Sequence, residues 1–466
     1  MKKFDSKIIL RKPISRKPDR PASSGLDSRR AAIEILIRVE HERGFADVLL
    51  GNRLPDFEVR DRRLITSLVL GVLAWRGRLD YELAILCGRK LDTLDPQVLT
   101  ILRLGLYQLR FLTRTAKHAV VDTCVRLAKE NEATRAASGL INAVMRRATR
   151  EQPAMPDRAR DLAGHFAVAY SHPRWIVERF IEWFGADEAE AVLAANNSAA
   201  PNVIRLNLSR GKREEILERL RSQGFEFEER AALPETVILE GAPNFDSPAY
   251  RDGWFQVQSE ASQWMSRLMS PSEGATILDC AAAPGGKTTH LAQLAGERAT
   301  IVAADVNHAG LLKVRAVANR LGFRNIHLLE ADMTLSPPLR EARCEAVLLD
   351  APCTGLGTMR EHPEIRWRLK PGDPARIAAI QSRMLDNVAA MVCRGGVLVY
   401  AVCSLAPEEG SGVIEKFLAA HPEFVIDRGP IEADGFQIPL DTDGYLRTRP
   451  NRGGLDGFFA ARMIRR

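Results

Sequence analysis

The spacing of apolar residues divides the chain into three parts. Between Ser28 and Arg150, apolar residues recur every three or four positions, and this spacing predicts an all-helical region. After a proline-containing linker from Glu151, one amphipathic helix precedes segments that predict a strand, a helix and two further strands. From about Ser272 short apolar runs alternate with helical segments. This alternation predicts a mainly parallel sheet with helices on both faces.

The length of 466 residues is too great for one ordinary core, so we expect several domains. The predicted divisions are 1–27, a disordered basic arm; 28–150, a helical domain; 151–265, a linker with a helical and α+β module; and 266–466, an α/β domain. No run approaches the roughly 20 apolar residues of a membrane span, and the N-terminus lacks a secretory signal pattern. We therefore expect a soluble, cytoplasmic protein.

The net charge of +7 and the pI near 9.1 are compatible with a polyanionic partner but do not establish one. The distribution is more informative, because the first 25 residues hold eight Lys or Arg and only two Asp. Such an arm is typical of a segment that contacts a phosphate backbone, and a solvated tail is an equal alternative.

The seven cysteines form no CxxC pair and no cluster with zinc-site spacing, so we expect neither disulfides nor a metal site. The ordinary interpretation of each is a small buried hydrophobe. Cys353 and Cys403 differ, because each follows an apolar run that predicts a strand, in EAVLLDAPCTGLGTM and GGVLVYAVCSLAPEEG. Ligands of parallel sheets bind at such strand ends.

The segment LDCAAAPGGKTTH predicts a strand, a loop of small residues and a helix, an arrangement that binds a ligand at the helix N-terminus. The candidate cofactor residues here are Ala281, Ala282, Ala283, Pro284, Gly285, Gly286 and Lys287. Two hypotheses compete, because AAAPGGKT misses the phosphate-binding GxxxxGK[ST] pattern only at Ala281. The other hypothesis is a methyltransferase loop for S-adenosylmethionine.

Acids at the ends of three successive predicted strands favour the methyltransferase hypothesis. Asp305 ends the second strand, where an acid holds ribose hydroxyls. Asp332 ends the third, where it can meet the adenine, and Asp350 ends the fourth, near the methyl donor.

Four motifs resemble the RNA cytosine-C5 methyltransferases of the RsmB (Sun/Fmu) and Nop type: CAAAPGGKTTHLAQL, DAPCTGLGTMREHPEIRW, YAVCSLAPEE and LDGFFAARMIRR. The helical region resembles that family's N-terminal domain, which is similar to the antitermination factor NusB. The resemblance implies a NusB-like RNA-binding domain, an α+β RNA-binding module and a Rossmann-like catalytic domain. It also implies that the protein is a monomer with S-adenosylmethionine as cofactor. The implied substrate is RNA, and the RsmB type points to 16S rRNA, either free or in an early ribosomal particle.

The same resemblance implies roles for the two cysteines. The family's nucleophile lies in a Thr-Cys-Ser motif, which corresponds to Cys403, and its Pro-Cys cysteine, which corresponds to Cys353, assists product release. The Pro-Cys pair also resembles the nucleophile motif of DNA cytosine-C5 methyltransferases, so the reverse assignment stays open. We expect Asp350 to protonate or hydrogen-bond cytosine N3, and a helix beginning after Pro407 to lower the pKa of Cys403.

The chain departs from the family pattern at two positions. The loop cysteine is moved to Cys280 and Ala281 takes its place, while Val402 replaces the Thr of Thr-Cys-Ser. The segment REHPEIRW, residues 360–367, is predicted to line an RNA channel, with a basic surface turn as the alternative.

Two other functions are compatible with the resemblance. One is a cytosine-C5 methyltransferase of tRNA or 23S rRNA. The other is a non-catalytic RNA-binding assembly factor. The chain has both cysteines and all three strand-end acids. Their presence argues against the non-catalytic assembly factor, because a protein that has lost its enzyme activity does not need them.

Overall fold

The computed structural model of the protein describes residues 25–42, 44–113, 115–229, 233–335, 337–339, 341–433 and 435–466. Of the predicted basic arm, residues 1–24 lie outside this description. Residues 25–27 belong to a helix rather than to an arm, because the first helix begins at Gly25. The Asp27 carboxylate stabilises its first turn through an ion pair with Arg30, 2.7 Å from Oδ1 to Nη1.

The first compact unit ends at Met155 and is helical. Its described residues form the helices α1 Gly25–His41, α2 Ala46–Arg53, α3 Val59–Cys87, α4 Pro96–Phe111, α5 Lys117–Glu130, α6 Glu132–Arg135 and α7 Ser138–Arg150. α3 ends at Gly88, whose φ of 63° suits glycine, and α4 begins after Asp95, whose carboxylate caps it. The predicted helical fold of this region is confirmed. No helix in the described ranges is long and apolar enough to cross a bilayer.

The second unit, Pro156–Arg466, begins with three helices and a small α+β module. Its first elements are α8 Leu162–Ala169, α9 Arg174–Phe184, α10 Ala186–Ala195, β1 Asn202–Leu206, α11 Arg213–Ser222, β2 Phe227–Glu229, β3 Thr236–Leu239, α12 Pro248–Arg251 and β4 Phe255–Val257. The four strands are antiparallel in the order β2-β3-β1-β4. The sequence did not predict β4.

A larger, mainly parallel sheet forms the rest of this unit. Its elements are α13 Glu260–Met269, β5 Thr276–Asp279, α14 Gly286–Ala295, β6 Thr300–Asp305, α15 His308–Leu321, β7 Ile326–Glu330, β8 Cys344–Asp350, α16 Ile365–Arg368, α17 Asp373–Ala389, β9 Val392–Val402, α18 Ser411–Ala420, β10 Phe424–Ile426, β11 Glu432–Ala433, β12 Phe436–Gln437, β13 Tyr445–Arg447 and β14 Phe459–Arg465. The strands of the larger sheet lie in the order β10-β14-β9-β8-β5-β6-β7, and β13 pairs with β14, whereas β11 and β12 form a separate two-stranded sheet. The predicted α/β fold is confirmed, and antiparallel β14 and β10 extend it at one edge.

The strand order changes direction at β5, and this change positions the site. β6 and β7 follow on one side of β5, whereas β8 and β9 lie on the other. Asp279 at the end of β5 is in register with Leu348 of β8, and Asp350 at the end of β8 is in register with Ala401 of β9. The carboxyl ends of these strands therefore lie side by side, where ligands of such sheets bind.

A buried ion cluster joins the α+β module to α14. The fully buried Glu235 carboxylate accepts hydrogen bonds from Arg267 at 2.7 and 2.9 Å and from His290 of α14 at 2.9 Å. Burial opposes ionisation, but these hydrogen bonds hold the pKa of Glu235 well below its usual range. Arg205 of β1 donates to the Gly286 carbonyl at 2.8 Å, at the first residue of α14.

We predict that Glu235→Ala destabilises the second unit by about 3–5 kcal/mol at pH 7, because it removes the buried carboxylate that accepts hydrogen bonds from the Arg267 and His290 side chains. The measurement is urea unfolding followed by tryptophan fluorescence. Because the folded pKa of Glu235 is lowered, its contribution is present above the ordinary glutamate pKa and is lost as the pH falls below it. The difference from the wild type should therefore shrink in acid.

Glu218→Ala, on a side chain that is 76% exposed in α11, is the control and should unfold like the wild type. An unchanged urea midpoint for Glu235→Ala at pH 7 would contradict the structural role of the cluster.

Candidate active site

The loop between β5 and α14 is built from small residues that let a ligand approach the backbone. Gly285 has a φ of 108°, which L side chains rarely adopt. A Cβ there would lie 3.0 Å from Val314 Cα of α15, so the position also lacks space. The predicted helix after this loop is α14, which begins at Gly286. The N–H groups of its first turn face the loop, as binding of an anionic or polar ligand requires.

Asp279 is a residue of this site that the sequence analysis missed. It ends β5, is buried, and accepts a hydrogen bond from Thr288 Oγ1 at 2.7 Å through Oδ2. Oδ1 is also buried and makes no hydrogen bond of standard geometry. Burial and the nearby charge of Asp350 raise the pKa of Asp279 to about 6, although the Thr288 hydrogen bond opposes this. A strand-end Asp, the signal used for Asp305 and Asp350, could have identified it.

Asp305 and Asp332, two of the acids predicted to bind the cofactor, have different surroundings in the structure. Asp305 ends β6, and its Oδ2 accepts a hydrogen bond from the Ala283 N–H at 3.0 Å, which joins it directly to the loop. Asp332 does not end a strand, because β7 stops at Glu330. Its exposed carboxylate accepts hydrogen bonds from the N–H and hydroxyl of Thr334, and these lower its pKa. Asp305 is therefore hydrogen-bonded to the loop before α14, whereas these hydrogen bonds of Asp332 reach only Thr334, two residues further along the chain.

Lys287 connects the loop to the end of β8. Its Nζ lies 2.6 Å from Asp350 Oδ2, and both side chains are largely buried. Burial lowers the pKa of Lys287, but the Asp350 carboxylate and the nearby Cys403 sulfur raise it more, so the net shift is upward. The ammonium is therefore charged and directed at the predicted catalytic residues. This contact differs from the prediction that Lys287 holds the cofactor.

The two predicted catalytic thiols are in contact. Cys353 follows β8 and Cys403 follows β9, and their Sγ atoms are 3.2 Å apart. The hydrogen bond to Cys403, burial, and the charges of Cys403 and Glu409 raise the pKa of Cys353 well above its usual value. The raised pKa favours the protonated form of Cys353, and either sulfur can be the donor in the hydrogen bond between the two thiols. The N–H of Gly357 donates to the Cys403 carbonyl at 3.0 Å, so the loop after Cys353 returns to Cys403.

The helix predicted after Pro407 is present as α18, but it begins only at Ser411, because residues 407–410 form a turn. Val402, which replaces a threonine of the family pattern, is fully buried among apolar side chains. The displaced Cys280 is also a core residue, and burial raises the pKa of its thiol. Burial likewise raises the pKa of Cys124 to about 12 and that of Cys344 to about 11, which agrees with inert thiols.

The prediction that REHPEIRW lines an RNA channel is not supported for its two arginines, because both guanidinium groups are buried. Arg366 is fully buried and donates to the carbonyls of Asn196 and Met359, both at 3.1 Å. The Arg360 side chain is 5% exposed and donates to the Gly454 carbonyl at 2.7 Å. These guanidinium groups hold the segment in place because they find backbone acceptors inside the protein, a role that residue type alone does not reveal.

Three known families match successive parts of the chain. The NusB family matches residues 26–150, a ferredoxin-like domain of RsmF/B-like methyltransferases matches 172–246, and the family described as 16S rRNA methyltransferase RsmB/F matches 266–464. The probable ribosomal RNA small subunit methyltransferase B of Synechocystis sp. is 32% identical over 449 residues, which are 94% of this chain and 99% of that protein. The protein of the same name from Bacillus subtilis is 30% identical over 436 residues, 93% of this chain and 97% of its own.

Solved structures agree with these sequence similarities. The crystal structure of PH0851 has a TM-score of 0.82 and 27% identity, and the match covers 96% of this chain and 100% of that one. The crystal structure of NSun6 from Pyrococcus horikoshii with SFG has a TM-score of 0.56, 22% identity and coverage of 63% and 98%, and it supports the fold alone. Together the comparisons confirm the predicted architecture and S-adenosylmethionine as the cofactor, in place of the phosphate-loop alternative.

We predict that Asp305→Ala weakens S-adenosylmethionine binding by about 10- to 100-fold, the loss expected for a hydrogen bond to a charged group. Isothermal titration calorimetry measures the Kd. Asp386→Ala, on an exposed side chain of α17, is the control and should bind like the wild type. Equal affinity of Asp305→Ala and the wild type would remove Asp305 from the cofactor site.

Proposed function

The chain belongs to the 16S rRNA methyltransferase RsmB/F family, and from this premise we propose that it methylates carbon 5 of cytosine in 16S rRNA through a covalent adduct. The observation that carries the proposal is the pair of thiols at the ends of β8 and β9, 3.2 Å apart. Lys287, which is paired with Asp350, lies beside them. Bound S-adenosylmethionine supplies an electrophilic methyl group, and Asp279, Asp305 and the loop before α14 would hold it.

Cytosine needs a thiol because its carbon 5 is a poor nucleophile. A thiolate that adds to carbon 6 moves electron density through carbon 5 towards N3, so that carbon 5 can take the methyl group. A base then removes the proton on carbon 5, the double bond between carbons 5 and 6 re-forms, and the sulfur leaves as a thiolate. The site must therefore support one thiolate twice, as attacking group and as leaving group.

Cys403 suits the role of nucleophile better than Cys353. Its sulfur contacts that of Cys353 and lies near the Lys287 ammonium, and a neighbouring cation stabilises the negative charge of an attacking thiolate. Cys353 retains its proton because its pKa is raised. A protonated Cys353 can donate to the Cys403 sulfur as it leaves carbon 6, which accounts for a role in product release.

Asp350 and Lys287 suit the other end of the reacting base. Addition at carbon 6 develops negative charge at N3, which a hydrogen-bond donor stabilises. The Lys287 ammonium, 2.6 Å from the Asp350 carboxylate, provides a hydrogen-bond donor next to the thiols. We assign this pair to N3: Lys287 donates a hydrogen bond to the developing negative charge without net transfer of its proton, and Asp350 positions Lys287.

Cys403→Ala should abolish methyl transfer, whereas Cys353→Ala should allow attack, slow release and accumulate protein bound covalently to RNA. Denaturing gel electrophoresis with labelled RNA detects the adduct, and transfer of labelled methyl groups measures turnover. Cys393→Ala, at the opposite end of β9, is the control and should behave like the wild type. An adduct formed by Cys403→Ala, and not by Cys353→Ala, would reverse the assignment.

Bisulfite sequencing of total RNA from cells with and without the gene should show the loss of a 5-methylcytosine in 16S rRNA. A lost site in tRNA or 23S rRNA instead would identify the alternative substrate. No change at any cytosine, together with no methyl transfer in vitro, would favour the non-catalytic assembly factor.

A further inference from the structure

Glu409 is a fully buried carboxylate that holds both cysteine loops, and it lies in the turn between β9 and α18. Oε1 accepts a hydrogen bond from the Thr354 N–H at 2.8 Å, and Oε2 accepts one from the Ser404 hydroxyl at 2.5 Å. The Thr354 hydroxyl also donates to Oε2. Because Thr354 follows Cys353 and Ser404 follows Cys403, one carboxylate fixes the residue after each thiol.

Two neighbouring side chains support this carboxylate. Gln381 of α17 donates from Nε2 both to Glu409 Oε1, at 3.1 Å, and to the Pro352 carbonyl, at 2.9 Å. The fully buried Tyr400 donates its hydroxyl to the main-chain oxygen of Glu409 at 2.6 Å. Residues 352–354 and the turn at Glu409 therefore form one hydrogen-bonded unit.

The donors to the Glu409 carboxylate are neutral, unlike those of the neighbouring acids. They are a backbone amide, two hydroxyls and a side-chain amide. Asp350 is paired with Lys287, and the adjacent Glu408 is paired with Arg179. A buried charge that no counter-ion neutralises acts on nearby groups through weakly screening surroundings. The charge of Glu409 helps to raise the pKa of two titratable neighbours, Cys353 and Tyr400.

We propose that Glu409 is a positioning residue that keeps the proton of the thiol pair on Cys353 and thereby leaves Cys403 as the nucleophile. Its hydrogen bonds hold the two thiols in contact, and its charge disfavours a thiolate at Cys353. The proposal rests on the proposed function, since it explains how two adjacent cysteines take different parts in one reaction.

The same arrangement serves the release of the product. When the proton on carbon 5 passes to water, its bonding electrons restore the double bond between carbons 5 and 6. The bond from carbon 6 to Cys403 then breaks, and its electrons stay on sulfur. The Cys353 S–H stabilises this thiolate by a hydrogen bond, without net transfer of its proton.

The test is alkylation by iodoacetamide as a function of pH, with each cysteine followed by mass spectrometry of its peptide. In the wild type we expect Cys403 to react at a lower pH than Cys353. Glu409→Gln removes the charge, and it should lower the pH midpoint of Cys353 by on the order of one unit. A folded Glu409→Gln protein whose Cys353 midpoint equals that of the wild type would overturn the proposal.

Glu408→Gln is the matched control, because Glu408 lies in the same turn but pairs with Arg179 rather than with the cysteine loops. It should show wild-type alkylation of both thiols. Glu409→Asp retains the charge and should keep the wild-type midpoint of Cys353, so it also serves if Glu409→Gln does not fold. A Cys353 midpoint lowered by a full unit in Glu409→Asp would show that the charge is not responsible.

Methyl transfer provides a second, separate measurement. Glu409→Gln should lower kcat by about tenfold or more and leave the KM for RNA unchanged, because Glu409 acts on the thiols and not on RNA binding. A rise in KM alone would overturn the assignment. Alkylation needs neither RNA nor methyl donor, so its result stands whichever nucleic acid proves to be the substrate.

Discussion

The parallel pairing of β8 with β9 is the constraint on which the site depends. The register sets Asp350 opposite Ala401, so the chain leaves both strands at the same edge of the sheet. Cys353 and Cys403 are far apart in sequence, yet this register brings their sulfur atoms to 3.2 Å. The strands are buried on both faces, and a shift of register would move apolar side chains out of two cores at once, so the pairing is strongly specified.

Other elements of the second unit hold the loops at this edge of the sheet in place through hydrogen bonds. Arg205, from the α+β module, donates to the Gly286 carbonyl where the cofactor loop becomes α14. Arg366 donates to the Met359 carbonyl and to residues that follow α10, so it holds the loop after Cys353 against the helices α8 to α10. Both arginines are buried. Removing Arg366 would take a donor from the carbonyls of Ser171, Asn196 and Met359, and removing Arg205 would take one from the Gly286 carbonyl. The accessory elements thus stabilise the geometry of the catalytic edge, whatever they also contribute to RNA binding.

The sequence predicted those features that depend on local pattern, and it missed those that depend on partners across the fold. Periodicity located the strands of the parallel sheet, and the acid after β6 led correctly to a residue joined to the cofactor loop, Asp305. Residue type led to a wrong expectation at Arg366. A basic side chain in a polar segment looks exposed, and the sequence does not show that backbone carbonyls inside the protein accept its hydrogen bonds. The sequence also did not identify Glu409. In the segment PEEG, nothing distinguishes it from Glu408, which forms an ion pair, until the structure shows which of the two side chains is buried.

In the proposed mechanism, the different roles of the two thiols follow from how neighbouring charges are neutralised rather than from either cysteine motif. At one end of the site the Asp350 carboxylate is matched by Lys287, so the ammonium can also favour a thiolate at Cys403. At the other end the Glu409 carboxylate is satisfied by neutral donors and opposes a second thiolate at Cys353. The field across the thiol pair therefore has a direction, from the ammonium to the uncompensated carboxylate. A proton shared between two sulfur atoms in such a field rests nearer the carboxylate, on Cys353, both before the attack and when the thiolate leaves.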